Sequence, residues 1–387
     1  MQRKAIMLFA LVIGALLCVP TMAQSTTVPA EQSVTERSTI NMPVGVTPVS
    51  HQVYKLHMYM FWLCVVVGIG VFGYMLVAMI LHRKSRGHEP ADFHENVVAE
   101  VAWTLVPFLI LVVMAVPATV ALKHLYDASD SELEIQITGY QWKWQYEYLG
   151  KGVRFISELA TPQDQINNLD PKSKTYLQEV TQPLVIPVDT KVKFHVTSGD
   201  VIHSWWVPDF AVKRDAIPGY NVETWTKVLE PGIYRGECAE LCGMDHAFMP
   251  VVVEVKTKED FKIWLDEQVA KAEALAAMTE KTFSKDELME IGKAAYDRSC
   301  AACHGTDGSG VAGVFPPMTG SAWITGPIED HLDIVVNGST GTAMQAFGGQ
   351  LSEVDIAAII TYERNALGNN TGDVVQPIDV FNYKNGQ

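Results

Sequence analysis

The sequence predicts a multidomain membrane protein: a two-helix transmembrane hairpin, then an exported β-sandwich, then a small all-α unit. Three observations carry this. Two long runs, Met58 to Leu81 and Val101 to Leu122, contain no charged residue. Between about Leu133 and Val255 the pattern changes to short alternating and β-branched segments. Beyond a charged, Ala-rich stretch, helical spacing returns around a close pair of Cys residues. A chain of 387 residues is too long for one core and should hold two or three folded units.

At the N-terminus, the apolar run Ala5 to Pro20 follows the basic Arg3-Lys4 and ends on Thr21-Met22-Ala23. This is the pattern of a signal peptide, residues 1–23, cleaved near Ala23. The run is shorter than the ~20 apolar residues that a membrane span needs. Residues 24–56 then form an exported segment, and residues 57–124 the anchor. At about 1.5 Å per residue, both long runs can cross a hydrocarbon core of about 30 Å. Gly68, Gly70 and Gly73 leave room for another helix to approach, and Pro107 and Pro117 imply local bends. The loop between the spans carries Arg83, Lys84 and Arg86, the bias of a cytoplasmic loop. With an exported N-terminus, everything after Leu122 returns to the outer side. The expected location is a bacterial cytoplasmic (inner) membrane, with lipid around the anchor and the folded units on the periplasmic face.

The formal charge of −15 excludes nucleic acid as a natural partner and favours a basic one. Of the six Cys residues, Cys18 and Cys64 lie in apolar runs, and the other four form two close pairs. Close pairs point to metals or cofactors rather than to a disulfide framework.

Residues 130–256 read as the sandwich, with alternation at Leu133 to Ile137 and Lys191 to Val196 and Pro-Gly turns at 218–219 and 231–232. Its chemistry lies in Cys238-Ala239-Glu240-Leu241-Cys242-Gly243-Met244-Asp245-His246-Ala247-Phe248-Met249. Two thiols, an imidazole and a thioether are soft ligands that suit copper or zinc. The thioether favours copper, since a structural zinc more often takes four Cys/His ligands. The run resembles the dinuclear copper loop of cytochrome c oxidase second subunits, and Asp200 to Trp205 resembles the segment that brings the distant His. The resemblance implies a cupredoxin-like sandwich with a two-copper centre held by His203, Cys238, Glu240 (through its backbone oxygen), Cys242, His246 and Met249. It also offers Glu240 as a ligand to a magnesium shared with the first subunit. Gly139 to Tyr148 resembles the family's aromatic segment, where the residue matching Trp142 is an electron-entry point. Asp215 to Gly219 resembles a loop facing the first subunit. Glu100, with Trp103 and Pro107, matches the start of the second span, where the family has the mouth of a proton path. The plainer reading of Glu100 is a solvated helix-start acid favoured by the dipole.

Residues 257–284, with Phe261, Trp264 and Leu265 on helical spacing, read as a closing helix followed by a solvated connector. Cys300-Ala301-Ala302-Cys303-His304 is the c-type haem attachment pattern, and nothing around it reads as the βαβ of a redox dithiol. Residues 285–367 resemble a small all-α cytochrome c domain. That implies Cys300 and Cys303 as thioether attachments, His304 as one axial ligand and Met344, in the loop before the last helix, as the other. Met318, after Pro316-Pro317, reads as wall packing. The tail, 368–387, is polar and is expected to be loosely ordered.

Together these resemblances imply an electron-transfer subunit of a haem–copper oxidase. Electrons would pass from cytochrome c through the covalent haem and the copper pair to a catalytic first subunit, which reduces oxygen and pumps protons. The copper subunit of a nitric oxide reductase shares the loop and anchor, and a copper delivery protein could use the thiols without needing a haem.

Overall fold

The computed structural model describes residues 41–87, 89, 94–339 and 341–386. The expected signal peptide and residues 24–40 of the exported segment lie outside the described residues.

Among the described residues, two helices are long and apolar enough to cross a membrane, α1 (Pro48–Leu81) and α2 (Val97–Leu125). Helix α1 starts ahead of the expected anchor boundary at residue 57, because Thr47 and Ser50 form a capping box and Pro48 sits in the first turn, where it loses no hydrogen bond. Gln52 Oε1 lies 2.8 Å from His124 Nδ1 and ties the outer ends of the two helices together. Gly68, Gly70 and Gly73 have open space beside them, so the face on which a partner helix is expected is not filled by α2.

The sandwich is fastened to both helix ends. On the α1 side, Val46 N–H donates to Asp209 O at 2.9 Å, Leu229 N–H donates to Val46 O at 2.9 Å, and Thr47 Oγ1 donates to Phe210 O at 3.0 Å. On the α2 side, Trp225 Nε1 donates to His124 O at 3.2 Å.

Ten strands follow: β1 (Leu133–Tyr140), β2 (Lys143–Tyr148), β3 (Val153–Ser157), β4 (Leu184–Pro187), β5 (Val192–Ser198), β6 (His203–Val207), β7 (Val212–Ala216), β8 (Val222–Thr226), β9 (Gly232–Cys238) and β10 (Pro250–Lys256). They form two five-stranded sheets, ordered β3-β2-β1-β5-β8 and β4-β10-β9-β6-β7. Alternation along β1 and β5 sends Ile135, Ile137, Phe194 and Val196 inward, where they meet Trp144, Tyr146 and Tyr148 of β2 and Trp205 of β6. The aromatic segment therefore supplies core.

The segment after β10 is one helix, α3 (Lys258–Thr279), capped by Thr257. Its first turns pack Phe261, Trp264 and Leu265 on the sandwich core, and its 22 residues span about 33 Å. The connector is thus largely helical. The last unit comprises α4 (Lys285–Ser299), α5 (Ala301–His304), α6 (Ala322–Thr325), α7 (Ile328–Asn337), α8 (Glu353–Asn365) and α9 (Pro377–Lys384). Helix α4, started by a Ser284–Glu287 capping box, crosses α8 at Gly292.

The tail, expected to be loose, folds back as α9. Val375 and Val380 are buried with Leu332, Val336 and Ile360. Gln376 exchanges hydrogen bonds with the Phe283 backbone, at 2.9 Å and 3.0 Å, and Tyr383 donates to Asp333 at 2.7 Å. The overall polarity of the tail hid this short apolar pattern.

A Cβ at Gly292 would lie 2.1 Å from Ala358 O. Gly292→Ala should therefore cost the all-α unit ~1–3 kcal/mol as an overpacking change, read as a lowered thermal midpoint of that unit with the sandwich unaffected.

Candidate functional site

His203 opens β6 and Cys238 closes β9, and the register sets Trp205 opposite Cys238. The chain then turns through an irregular loop into a single helical turn, His246–Phe248, and enters β10 behind Met249. Two backbone hydrogen bonds clamp this loop: Ala239 N–H to Ser204 O at 2.9 Å and Cys238 N–H to Met249 O at 3.1 Å. As a result, ligand atoms of His203, Cys238 and Cys242 lie within 4.8 Å of one another, all three residues buried. The Sγ atoms are 3.9 Å apart; His203 Nδ1 is 4.0 Å from Cys238 Sγ, and His246 Nδ1 is 3.5 Å from Cys242 Sγ. Glu240 turns its backbone oxygen toward Cys238 Sγ, at 3.3 Å, while the residue itself is exposed. Met249 is buried at the loop's end. Met244, left out of the ligand set, is 87% exposed.

Asp200 and Gln141 support the site in ways that only the fold reveals. Asp200 Oδ1 lies 2.8 Å from His203 Nε2, and its carboxylate also accepts from Gln141 N–H at 2.7 Å and Val201 N–H at 2.6 Å. This fixes the ring so that Nδ1 faces the thiols, the usual arrangement behind a metal-bound imidazole. Its only signal in the sequence is an acid three residues before the His. Gly139 lets that ring pack, since a Cβ there would lie 2.8 Å from His203 Cδ2. Gln141 Nε2 and Trp142 Nε1 both donate to Cys242 O, at 2.8 Å and 3.3 Å.

The thiols differ in character. Burial pushes Cys238 up, but contacts with His203 and the backbone of Ser204 and Glu240 outweigh it and leave the thiol below its ordinary range. Burial and the neighbouring Cys238 charge push Cys242 up to about 12. His203 is held above the usual imidazole range: burial works against this, while Asp200 and Cys238 favour the cation. Two thiolates this close repel, and a soft cation between them would remove the conflict.

In the last unit, Cys300 caps α4, and α5 carries Cys303 and His304. All three border a cavity of about 360 Å³, together with Met318, Met344 and Trp323. His304 Nδ1 is 3.2 Å from Pro316 O, which leaves Nε2 for a metal. Met318 follows on that same segment and packs on Tyr296 and Ile324, whereas Met344 comes from the separate loop between α7 and α8. His331 and Glu363 form a buried pair at 2.8 Å beside the cavity, and His331 Nδ1 has no hydrogen-bond partner among the described residues. A polar group on a bound cofactor would satisfy it. A largely apolar cleft with two thiols, an imidazole and a thioether at its edge fits a covalent haem.

Glu100 lies in the first turn of α2, where its Oε1 accepts from Asn96 N–H at 3.1 Å, so it acts locally as a helix-start acid.

Residues 35–120 match the cytochrome c oxidase subunit II transmembrane domain family, and residues 133–256 match the family of its periplasmic domain. Residues 287–362 match a family described as cytochrome c oxidase, cbb3-type, subunit III. A probable cytochrome c oxidase subunit 2 of Rickettsia bellii is 37% identical over 220 residues, 57% of this chain and 80% of the relative. The cytochrome c oxidase subunit 2 of Cereibacter sphaeroides is 34% identical, over 57% of this chain and 77% of its own length. Among solved structures, the periplasmic domain of cytochrome oxidase subunit II of Bradyrhizobium japonicum is 38% identical, covers 37% of this chain and 98% of that one, and has a TM-score of 0.34. With the anchor, the sandwich and the helical unit each matched, the chain belongs to the cytochrome c oxidase subunit II family and carries a cytochrome c domain at its C-terminal end.

Proposed function

We propose that this chain is the electron-transfer subunit of a terminal haem–copper oxidase, receiving electrons from cytochrome c and passing them to a catalytic first subunit that reduces oxygen with proton pumping. The observation that carries the reading is the convergence of His203, Cys238 and Cys242 from distant segments to within 4.8 Å. His203, Cys238, Cys242, His246, Met249 and the Glu240 carbonyl would hold a copper pair. Cys300 and Cys303 would attach a haem c, with His304 and Met344 as its axial ligands. When bound, the copper pair supplies a one-electron store spread over two metals, and the haem supplies one at the raised potential of a His/Met pair.

The chain's own residues do the rest. Asp200 orients His203, the β6–β9–β10 clamp keeps the loop from relaxing between redox states, and burial excludes water. The exposed Glu240 carboxylate would reach a magnesium shared with the first subunit. Glu100 would stand at the mouth of a proton path, and Trp142 is the family's electron-entry position. The two apolar helices and the basic Arg83 to Arg86 loop support a two-span placement in a bacterial inner membrane, with both cofactor domains on the outer side.

Elemental analysis of the purified chain should give two coppers and one iron. Cys238→Ser or His246→Ala should abolish the copper and spare the haem; a single zinc would defeat the assignment. Asp200→Asn should weaken copper binding by roughly 10–100-fold in a competition titration, the usual cost of losing the group that orients a ligand. Met344→Ala should convert the haem spectrum from a six-coordinate His/Met type, while Met318→Leu leaves it intact; the reverse result would exchange the two methionines.

A further inference from the structure

We infer that the cytochrome domain is seated on the copper loop by a line of oriented amides, Gln350, Gln345 and Gln141, ending on the Cys242 carbonyl, and that this line is the contact through which an electron leaves that domain for the copper pair. The inference deepens the relay proposed above and rests on it.

The line begins in the loop that carries Met344. Gln350 Nε2 donates to Ala346 O at 2.6 Å and to Gln345 Oε1 at 3.0 Å. That second bond sets the orientation of the Gln345 amide, because the opposite flip would bring two donors together there. Gln345 Nε2 then faces the backbone carbonyl of Gln141 at 3.4 Å. The Gln141 side chain continues the line, with Nε2 donating to Cys242 O at 2.8 Å. Gln141 is itself pinned, since its N–H donates to Asp200, the residue behind His203.

The flanking contacts belong to the same seat. Gln145 Nε2 donates to Gly349 O at 2.8 Å, and Lys143 Nζ lies 5.8 Å from the centre of the Phe347 ring. Residues 141–145 of the sandwich thus meet residues 345–349 of the cytochrome domain. A plain packing interface would be expected to meet through apolar side chains. Here the contact is polar and directional, and its ends adjoin a proposed ligand on each side, since Gln345 follows Met344 and Cys242 is one of the thiols. From Met344 to Cys242 the line crosses only two non-covalent gaps, each a hydrogen bond. Bonds carry electronic coupling further than open space does. The step itself moves one electron: the haem iron is oxidised, the copper pair is reduced, no covalent bond changes, and no proton is required. The Trp142 indole N–H is already spent on Cys242 O, so the family's entry position is drawn into the same seat.

The test uses the full chain in its assembled oxidase with both cofactors present. The haem is reduced by a light flash through a photoexcited ruthenium complex, and the haem and copper bands are followed separately. Amide exchange of the 345–350 segment is measured in parallel. Gln345→Glu keeps the shape and removes the donor. We expect both spectra to be unchanged, transfer to copper slowed severalfold because a hydrogen-bonded gap of the line becomes an open one, and exchange of the segment accelerated. Gln145→Leu, which loosens the seat without touching the line, should slow transfer less. Should Gln345→Glu disturb the haem spectrum, Gln350→Leu releases the same amide from a distance and takes its place. A wild-type rate in a spectrally intact Gln345 or Gln350 variant overturns the inference, and equal slowing by Gln145→Leu overturns the line as the route. A wild-type chain whose reduced haem never delivers to copper would sink the relay itself, while the exchange measurement would still decide the seat.

Discussion

The loop from Cys238 to Met249 holds its shape because the ends of three strands of one sheet meet there. Strand β9 lies between β6 and β10: Cys238, which closes it, faces Trp205 of β6 and donates its N–H to Met249 O ahead of β10, while the next residue, Ala239, donates to Ser204 O of β6. Neither neighbour is adjustable, since both sheets close over Trp144, Trp205, Phe194 and their aromatic neighbours. A ligand set carried on such strand ends is held by the packing of the whole sandwich, whereas an equally short loop on the surface would have to be ordered by the metal alone.

This rigidity also concentrates unfavourable chemistry. Two thiols, a buried imidazole and the Asp200 carboxylate share a small, water-poor space, where two thiolates 3.9 Å apart would repel one another. Thiolate and imidazole donors suit a soft cation, and a cation held among them would offset the repulsion between the two sulfurs. Asp200 couples this balance to the rest of the molecule, since it holds His203 with one oxygen and the Gln141 backbone with the other.

What the sequence made legible was periodic or chemically rare. Charge-free runs marked the two helices, alternation marked β1 and β5, and clustered Cys, His and Met marked the places where ligand-type atoms gather. What it hid was contextual. The polar composition after Gly368 masked Val375 and Val380, which gain their meaning only when α7 and α8 are present to receive them. The stretch after Phe261 read as part helix and part connector because its later residues have no apolar face, yet capping and Ala-rich composition carry the helix through to Thr279. Asp200, Gln141 and Gln345 were invisible for a simpler reason. Polar residues near turns are common, and only the fold shows which of them point at one another.

The fastening of the sandwich to both ends of the anchor sets how the molecule stands in its bilayer. A domain hung from one helix can swivel about a single bond path. Here Val46, in the backbone just before α1, is held by Asp209 and Leu229, and Trp225 grips the last turn of α2, at two separate points on the sandwich. Two points of attachment leave rotation only about the line that joins them, so the helices act as a pedestal rather than a leash. The position of the Cys238 to Met249 loop relative to the two apolar helices is then largely a property of the fold itself.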